Sequence, residues 1–201
     1  MKTLGKSLTL LLLISFTGIQ IYSQPVYKVN PVKSKLVIEG TSSLHNWTMQ
    51  AENFDCVVEF DMNNGKVDNI SGISFSVPVS GIVSDEGKLM DNKAHDALKE
   101  EKAPSITFRQ QSLESLTSSN GQVSGKVSGT LSIAGKSRQV TIPFTGKVLE
   151  DNSLLITGKL PVSMSDFDVD PPTAMLGALK TGNAVTLNYS FEFIPNLTSN
   201  R

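Results

Sequence analysis

Between Gln122 and Leu149 two long arms of alternating residues meet at one tight turn, and few folds can absorb such a segment. On the first arm Val123, Val127, Leu131 and Ile133 project one way, and Ser124, Lys126, Ser128, Thr130 and Ser132 the other. After Ala134-Gly135-Lys136 the second arm sets Val140, Ile142 and Phe144 against Gln139, Thr141 and Thr145. Side chains on a strand alternate between its faces, so this is the pattern of an antiparallel hairpin with one dry and one wet face. Gly125 and Gly129 fall on the dry face, where a glycine either bends the strand or leaves volume beside it. The hairpin predicts a curved sheet around an apolar inside.

The same grammar recurs along the chain. Turn signals at Asn63-Asn64-Gly65, Asn120-Gly121 and Asp151-Asn152 separate further alternating runs. These runs are 36–40, 47–51, 54–61, 67–79, 105–110, 122–133, 138–148, 154–164 and 185–193. Roughly eight or nine strands joined in sequence read as an up-and-down antiparallel sheet, which usually closes because open edges aggregate. One segment departs from the pattern: Asp91 is a good N-cap, Ala94, Ala97 and Leu98 keep helical spacing, and Pro104 stops the run. A single helix is expected over 92–102. The Ser/Thr-rich stretch 112–124 reads as a flexible hairpin tip that could carry part of a strand.

Lys2 and Lys6, an apolar run from Leu8 to Phe16, and small or polar residues up to Ser23 form the three-part pattern of a secretory signal peptide. Residues 1–23 are expected to be removed, and 24–201 to form one exported, periplasmic or secreted, domain. The lone Cys56 has no internal disulfide partner and sits in the alternating set Phe54, Cys56, Val58, Phe60, as a buried apolar residue would. A net charge of −1 supplies no basic field for nucleic acid. It leaves room for a transient contact with a membrane or a membrane protein, and fixes no oligomeric state.

Residues that could carry chemistry are few. His45 and His95 are the only histidines, and neither has a partner at a recognised metal-ligand spacing. Asp166-Phe167-Asp168-Val169-Asp170 begins like a calcium loop, but Pro171 and Gly177 stand where the loop needs a glycine and a bidentate acid. There is no Gly-x-Ser-x-Gly elbow and no phosphate-cradling glycine loop, so the sequence calls for no cofactor, no metal and no catalytic set. A barrel of eight strands is about the size at which the inside is either just filled or holds one small ligand. Three readings stay open on pattern alone: a ligand-holding barrel, a solid-cored β domain that serves a membrane or redox complex, and a metal-assisted enzyme on His45, His95 and an acid.

The order of several motifs resembles one family. Ser34-Lys35-Leu36-Val37-Ile38-Glu39-Gly40 with Ser43-Leu44-His45-Asn46-Trp47, then Ala103-Pro104-Ser105-Ile106-Thr107-Phe108, then Val127 to Lys136, and finally Ser165-Asp166-Phe167, Pro171-Pro172 and Leu179 to Val185, are similar to the YceI-like family. The resemblance spans about 26–193 and implies an all-β, antiparallel, eight-stranded lipocalin-like barrel with one short helix and an internal tunnel. It further implies an exported bacterial binder, not an enzyme, that takes a polyisoprenoid or similar amphiphilic lipid for transport, storage or sequestration. Under that implication the ligand-binding candidates are the inward residues Phe54, Val58, Phe60, Phe75, Val77, Phe108, Leu131, Ile142, Phe144, Leu160, Leu187, Tyr189 and Phe191. His45, Trp47 and Lys180 join them at the mouth, with Asp91 as a further polar contact there. His95 is not carried over, because Ala97-Leu98-Lys99 replaces the paired aromatic of the commoner pattern.

Overall fold

Three two-residue turns frame the molecule. Asn64-Gly65, Asn120-Gly121 and Ala134-Gly135 each hold both residues at positive φ, between 50° and 80°. That is the type I′ geometry whose twist matches the strands it joins. A computed structural model describes residues 25–174 and 177–196; the expected leader over 1–23 lies outside the described residues. The strands are β1 (Val26–Val29), β2 (Lys35–Ser42), β3 (Asn46–Ala51), β4 (Asp55–Asn63), β5 (Lys66–Pro78), β6 (Ile82–Ser84), β7 (Ser105–Ser119), β8 (Gln122–Ile133), β9 (Lys136–Val148), β10 (Leu154–Ser163), β11 (Thr173–Ala174) and β12 (Leu179–Pro195), with helix α1 (Lys88–Ala97) between β6 and β7.

These strands make an eight-staved antiparallel barrel. β1 and β2 lie end to end along one side of β12, from Tyr27↔Pro195 to Ser42↔Thr181. β4 pairs β1 and β3 pairs β2, so β3 and β4 are likewise one stave. β5 and β6 make a third, against β4 and β3. β7, β8, β9, β10 and β12 follow in chain order, and β12 closes the ring on the first stave. Every stave thus neighbours its neighbours in sequence, as the alternating runs predicted. Residues 30–34, 52–54 and 79–81 interrupt the first three staves side by side, and Glu52 N donates to Gly81 O at 2.7 Å across two of the breaks. Buried Glu192 fastens the first, accepting from Asn30 Nδ2 at 3.1 Å and lying 3.0 Å from Lys33 Nζ.

The core falls into two parts. Below the breaks, Tyr27, Val58, Phe60, Val67, Leu154 and Phe193 pack at the base, with Phe60 edge-on to Tyr27 and Phe193. Above them, Trp47, Met49, Ile82 and Val185 form a smaller cluster under Met90 and Ala94 of α1 and Leu98 just after it. The helix differs from expectation. It begins at Lys88, because the Asp91 carboxylate accepts from Ser84 N at 2.7 Å inside the first turn and so does not cap a later start. It ends at Ala97, since Lys99 turns left-handed at φ 57° well before Pro104. In the Ser/Thr-rich stretch the strand alternative holds over the flexible tip: β7 runs on to Ser119, and Leu113 and Leu116 pack onto the base core.

Candidate ligand cavity

Two cavities stack along the barrel axis. The inner one encloses about 140 Å³ and is lined by residues of β2, β4, β5, β7, β8, β9, β10 and β12. The outer one encloses about 370 Å³ beneath α1 and the 3-10 turn Met164–Phe167. Alternation assigns consecutive inward residues of one strand to the two spaces: Leu36 and Ile38, Leu131 and Ile133, Leu160 and Val162. Leu187 lines both. The outer volume falls in the range of small-molecule sites.

Eleven of the residues singled out from the sequence line the inner cavity: Val58, Phe60, Phe75, Phe108, Leu131, Ile142, Phe144, Leu160, Leu187, Tyr189 and Phe191. His45, Trp47 and Lys180 line the outer one with Leu187. Phe54 and Val77 are buried but reach neither lining; the Phe54 ring buttresses Phe191 and Phe75 at centroid distances of 5.1 and 6.2 Å. The two glycines of the first hairpin do not leave free volume. A Cβ on Gly125 would stand 2.8 Å from Phe144 Cζ and one on Gly129 2.7 Å from Phe108 Cζ, so neighbouring rings occupy that space. The sequence candidates did not include the residues of the roof, Met90, Ala94, Leu98, Met164 and Phe167, which complete the outer cavity. The helical spacing of Ala94, Ala97 and Leu98 was the signal, since it marks one apolar face that must cover something.

Polar groups gather only at the mouth. His45 Nδ1 lies 2.7 Å from Asn46 O and 3.9 Å from Glu86 Oε1. Lys93 Nζ donates to Thr173 O at 3.4 Å, and the Lys180 backbone amide donates to Ser43 Oγ at 3.1 Å. Asp91 is engaged with Ser84 and lines neither cavity. His95 Nε2 sits 2.8 Å from Ile82 O and its Nδ1 3.3 Å from Glu100, so it braces the helix. Among the described residues no three His, Cys, Asp or Glu side chains converge as a metal site would need. Cys56 lines the inner cavity, and burial pushes its thiol up to about 12. Burial also raises the Tyr189 phenol, which donates to Pro143 O at 2.5 Å. An apolar shaft with a sparse polar rim can solvate a hydrocarbon chain and orient a head group.

The model of the YceI-like domain matches residues 27–193 of the chain. The protein belongs to the YceI-like family. Solved structures share the barrel at low identity. BcnA of Burkholderia cenocepacia aligns with a TM-score of 0.65 at 20% identity, over 82% of this chain and 98% of its own. A polyisoprenoid-binding domain from Saccharophagus degradans gives 0.64 at 10% identity, over 86% and 99%. The YCEI protein of Campylobacter jejuni gives 0.55 at 19% identity, over 93% and 96%. No curated protein matches the chain. In this YceI-like domain the family motifs have structural duties. Gly40 lies under Trp47, whose Nε1 donates to Thr41 O at 2.9 Å, and the indole walls the outer cavity.

Proposed function

We propose that the protein is a binder, not a catalyst, that holds one long apolar isoprenoid-type lipid in the stacked cavities, its tail toward the base and its head group at the rim. The stacked, hydrocarbon-lined cavities of about 140 and 370 Å³ inside a closed barrel carry this reading. Each CH₂ moved from water into such a space is worth about 0.8 kcal/mol, so a five-carbon isoprene unit contributes on the order of 3–4 kcal/mol before ordering costs. A few units suffice for tight binding without a strong head-group contact. His45, Lys93 and Lys180 are the groups placed to meet a head group. The leader pattern over 1–23 supports export, and the function is then transport, storage or sequestration of the lipid across an aqueous compartment. The neighbour from Saccharophagus degradans, described as polyisoprenoid-binding, supports the ligand class.

Native mass spectrometry of the mature protein purified from its own host, followed by denaturing lipid extraction, tests this. A bound species of polyprenyl mass near one-to-one stoichiometry is expected. A clean apo mass that does not change on incubation with polyprenyl and quinone mixtures refutes it and favours an interaction domain that serves a membrane or redox complex.

A further inference from the structure

The barrel wall is not hydrogen-bonded all the way round. β9 and β10 pair only from Leu154↔Val148 to Thr157↔Thr145. Beyond that pair β9 continues to Lys136 against β8, and β10 continues to Ser163 against β12. Residues 136–144 and 158–163 therefore flank a seam with no ladder across it. Ladder parity decides which backbone groups look into it. Leu155 and Thr157 of β10 face β9, so Lys159, Pro161 and Ser163 aim their backbone groups into the seam. Thr145 of β9 faces β10, so Thr141 and Pro143 do likewise. Both prolines thus turn the side that lacks an N–H to the seam. Proline is tolerated in strands where no ladder bond is needed, and it blocks the pairing of an edge with another strand. The seam is written into the sequence.

Its contents differ from those of the other interrupted ladder. β5 and β7 also part, below Ser74↔Arg109, but Gln110 there donates to Ile70 O and accepts from Ile73 N, and Ser118 accepts from Val67 N. Val67 and Ile70 are almost fully buried behind them, so that gap is sealed. The β9–β10 seam is held by a reach from two strands away. Tyr189 of β12 crosses Gly158 of β10, where a Cβ would strike its phenol, and donates to Pro143 O of β9. At the mouth end Arg138 Nε donates to Asp166 O at 2.7 Å, and Lys136 pairs with Asp168 at 2.9 Å. Inner-cavity residues stand on both lips, Ile142 and Phe144 on β9 and Leu160 on β10.

Resting on the lipid-binding reading, we propose that the β9–β10 seam is a lateral portal through which an isoprenoid chain slides sideways into the inner cavity, with the Tyr189–Pro143 hydrogen bond as its latch. Beside the inner cavity, parting the lips breaks the Tyr189 hydrogen bond and no backbone ladder, and the Arg138 and Lys136 contacts remain at the mouth end as a hinge, whereas opening any paired stave breaks several ladder bonds.

All-trans retinol, a fluorescent isoprenoid alcohol, tests this on the mature protein, because Trp47 is the only tryptophan and lies in the outer cavity as an energy donor. Stopped-flow association and dissociation are measured for wild type, for Tyr189→Phe, and for Thr141→Cys/Lys159→Cys before and after bridging with a reducible bis-thiosulfonate. Thr141 and Lys159 are exposed on the outer faces of the two lips, and buried Cys56 does not compete for reagent. Losing the latch is expected to raise both rates roughly tenfold. Bridging is expected to slow both by about tenfold or more until reductant is added. Saturable binding by wild type with rates that neither change alters overturns the portal and leaves the lipid-binding reading intact. No saturable binding of retinol or polyprenols by wild type overturns both.

Discussion

Trp47 and Gly40 face each other across the β2–β3 ladder, and the indole lies where any side chain at position 40 would be. Gly40→Ala forces the ring off its place and off its bond to Thr41 O, and overpacking of this kind costs about 1–3 kcal/mol. Urea unfolding followed by tryptophan fluorescence should show that loss together with a shifted native emission maximum. Cys56 gives a pH signature. Its thiol is pushed from 9.0 in the open chain up to about 12 by burial. Below pH 9 both states keep the proton and the group favours neither. Between 9 and 12 only the unfolded chain releases it, so stability should fall with rising pH by up to about 1.4 kcal/mol per unit. Chemical denaturation across that window should show this component of the slope in wild type and its absence in Cys56→Ala.

The helix roof and the staves show what periodicity carries and what it misses. Strands with uninterrupted alternation, such as β8 and β10, were readable to within a residue or two. β7 was not, because register shifts at Gln110/Ser112 and Leu113/Ser115 place its inward leucines three positions apart instead of two. A bulged strand rich in serine looks like a loop to any test of alternation. The short strands β1 and β6 were hidden because each is only a fragment of a stave whose identity depends on its partners. For α1, a good capping residue is also a good tether: the Asp91 carboxylate binds the Ser84 amide of β6 and so ties the roof to the wall. Asp91→Ala is expected to cost about 1 kcal/mol globally. The Ser84 amide and the first turn of α1 should gain most of the added hydrogen exchange; uniform acceleration over the whole barrel would contradict a local tether.

At the scale of the molecule, the wall residues of the site could be read from the sequence while the hollow could not. Phe75, Phe144, Leu160 and Phe191 face inward by parity, yet the same list would serve a filled core. Whether space remains depends on where Phe108 and Phe144 lean, and they lean over Gly129 and Gly125. Among the described residues Leu187 is the one shared by both linings, so it stands between the two cavities. Leu187→Phe should shorten the longest isoprenoid alcohol bound, measured over a farnesol-to-polyprenol series by retinol displacement. Unchanged length preference would place the passage elsewhere.

The three side-by-side interruptions at 30–34, 52–54 and 79–81 break one side of the barrel, while β7, β8, β9, β10 and β12 run past them. They lie beside a core that is continuous, since Ile38, Leu98, Ile106, Val162 and Met164 pack against both the Trp47 cluster and the larger core. Local opening is easiest where backbone ladders are interrupted and hardest where they run on. The broken side is therefore the softer flank of the wall, able to shift locally while the apolar interior holds both ends together.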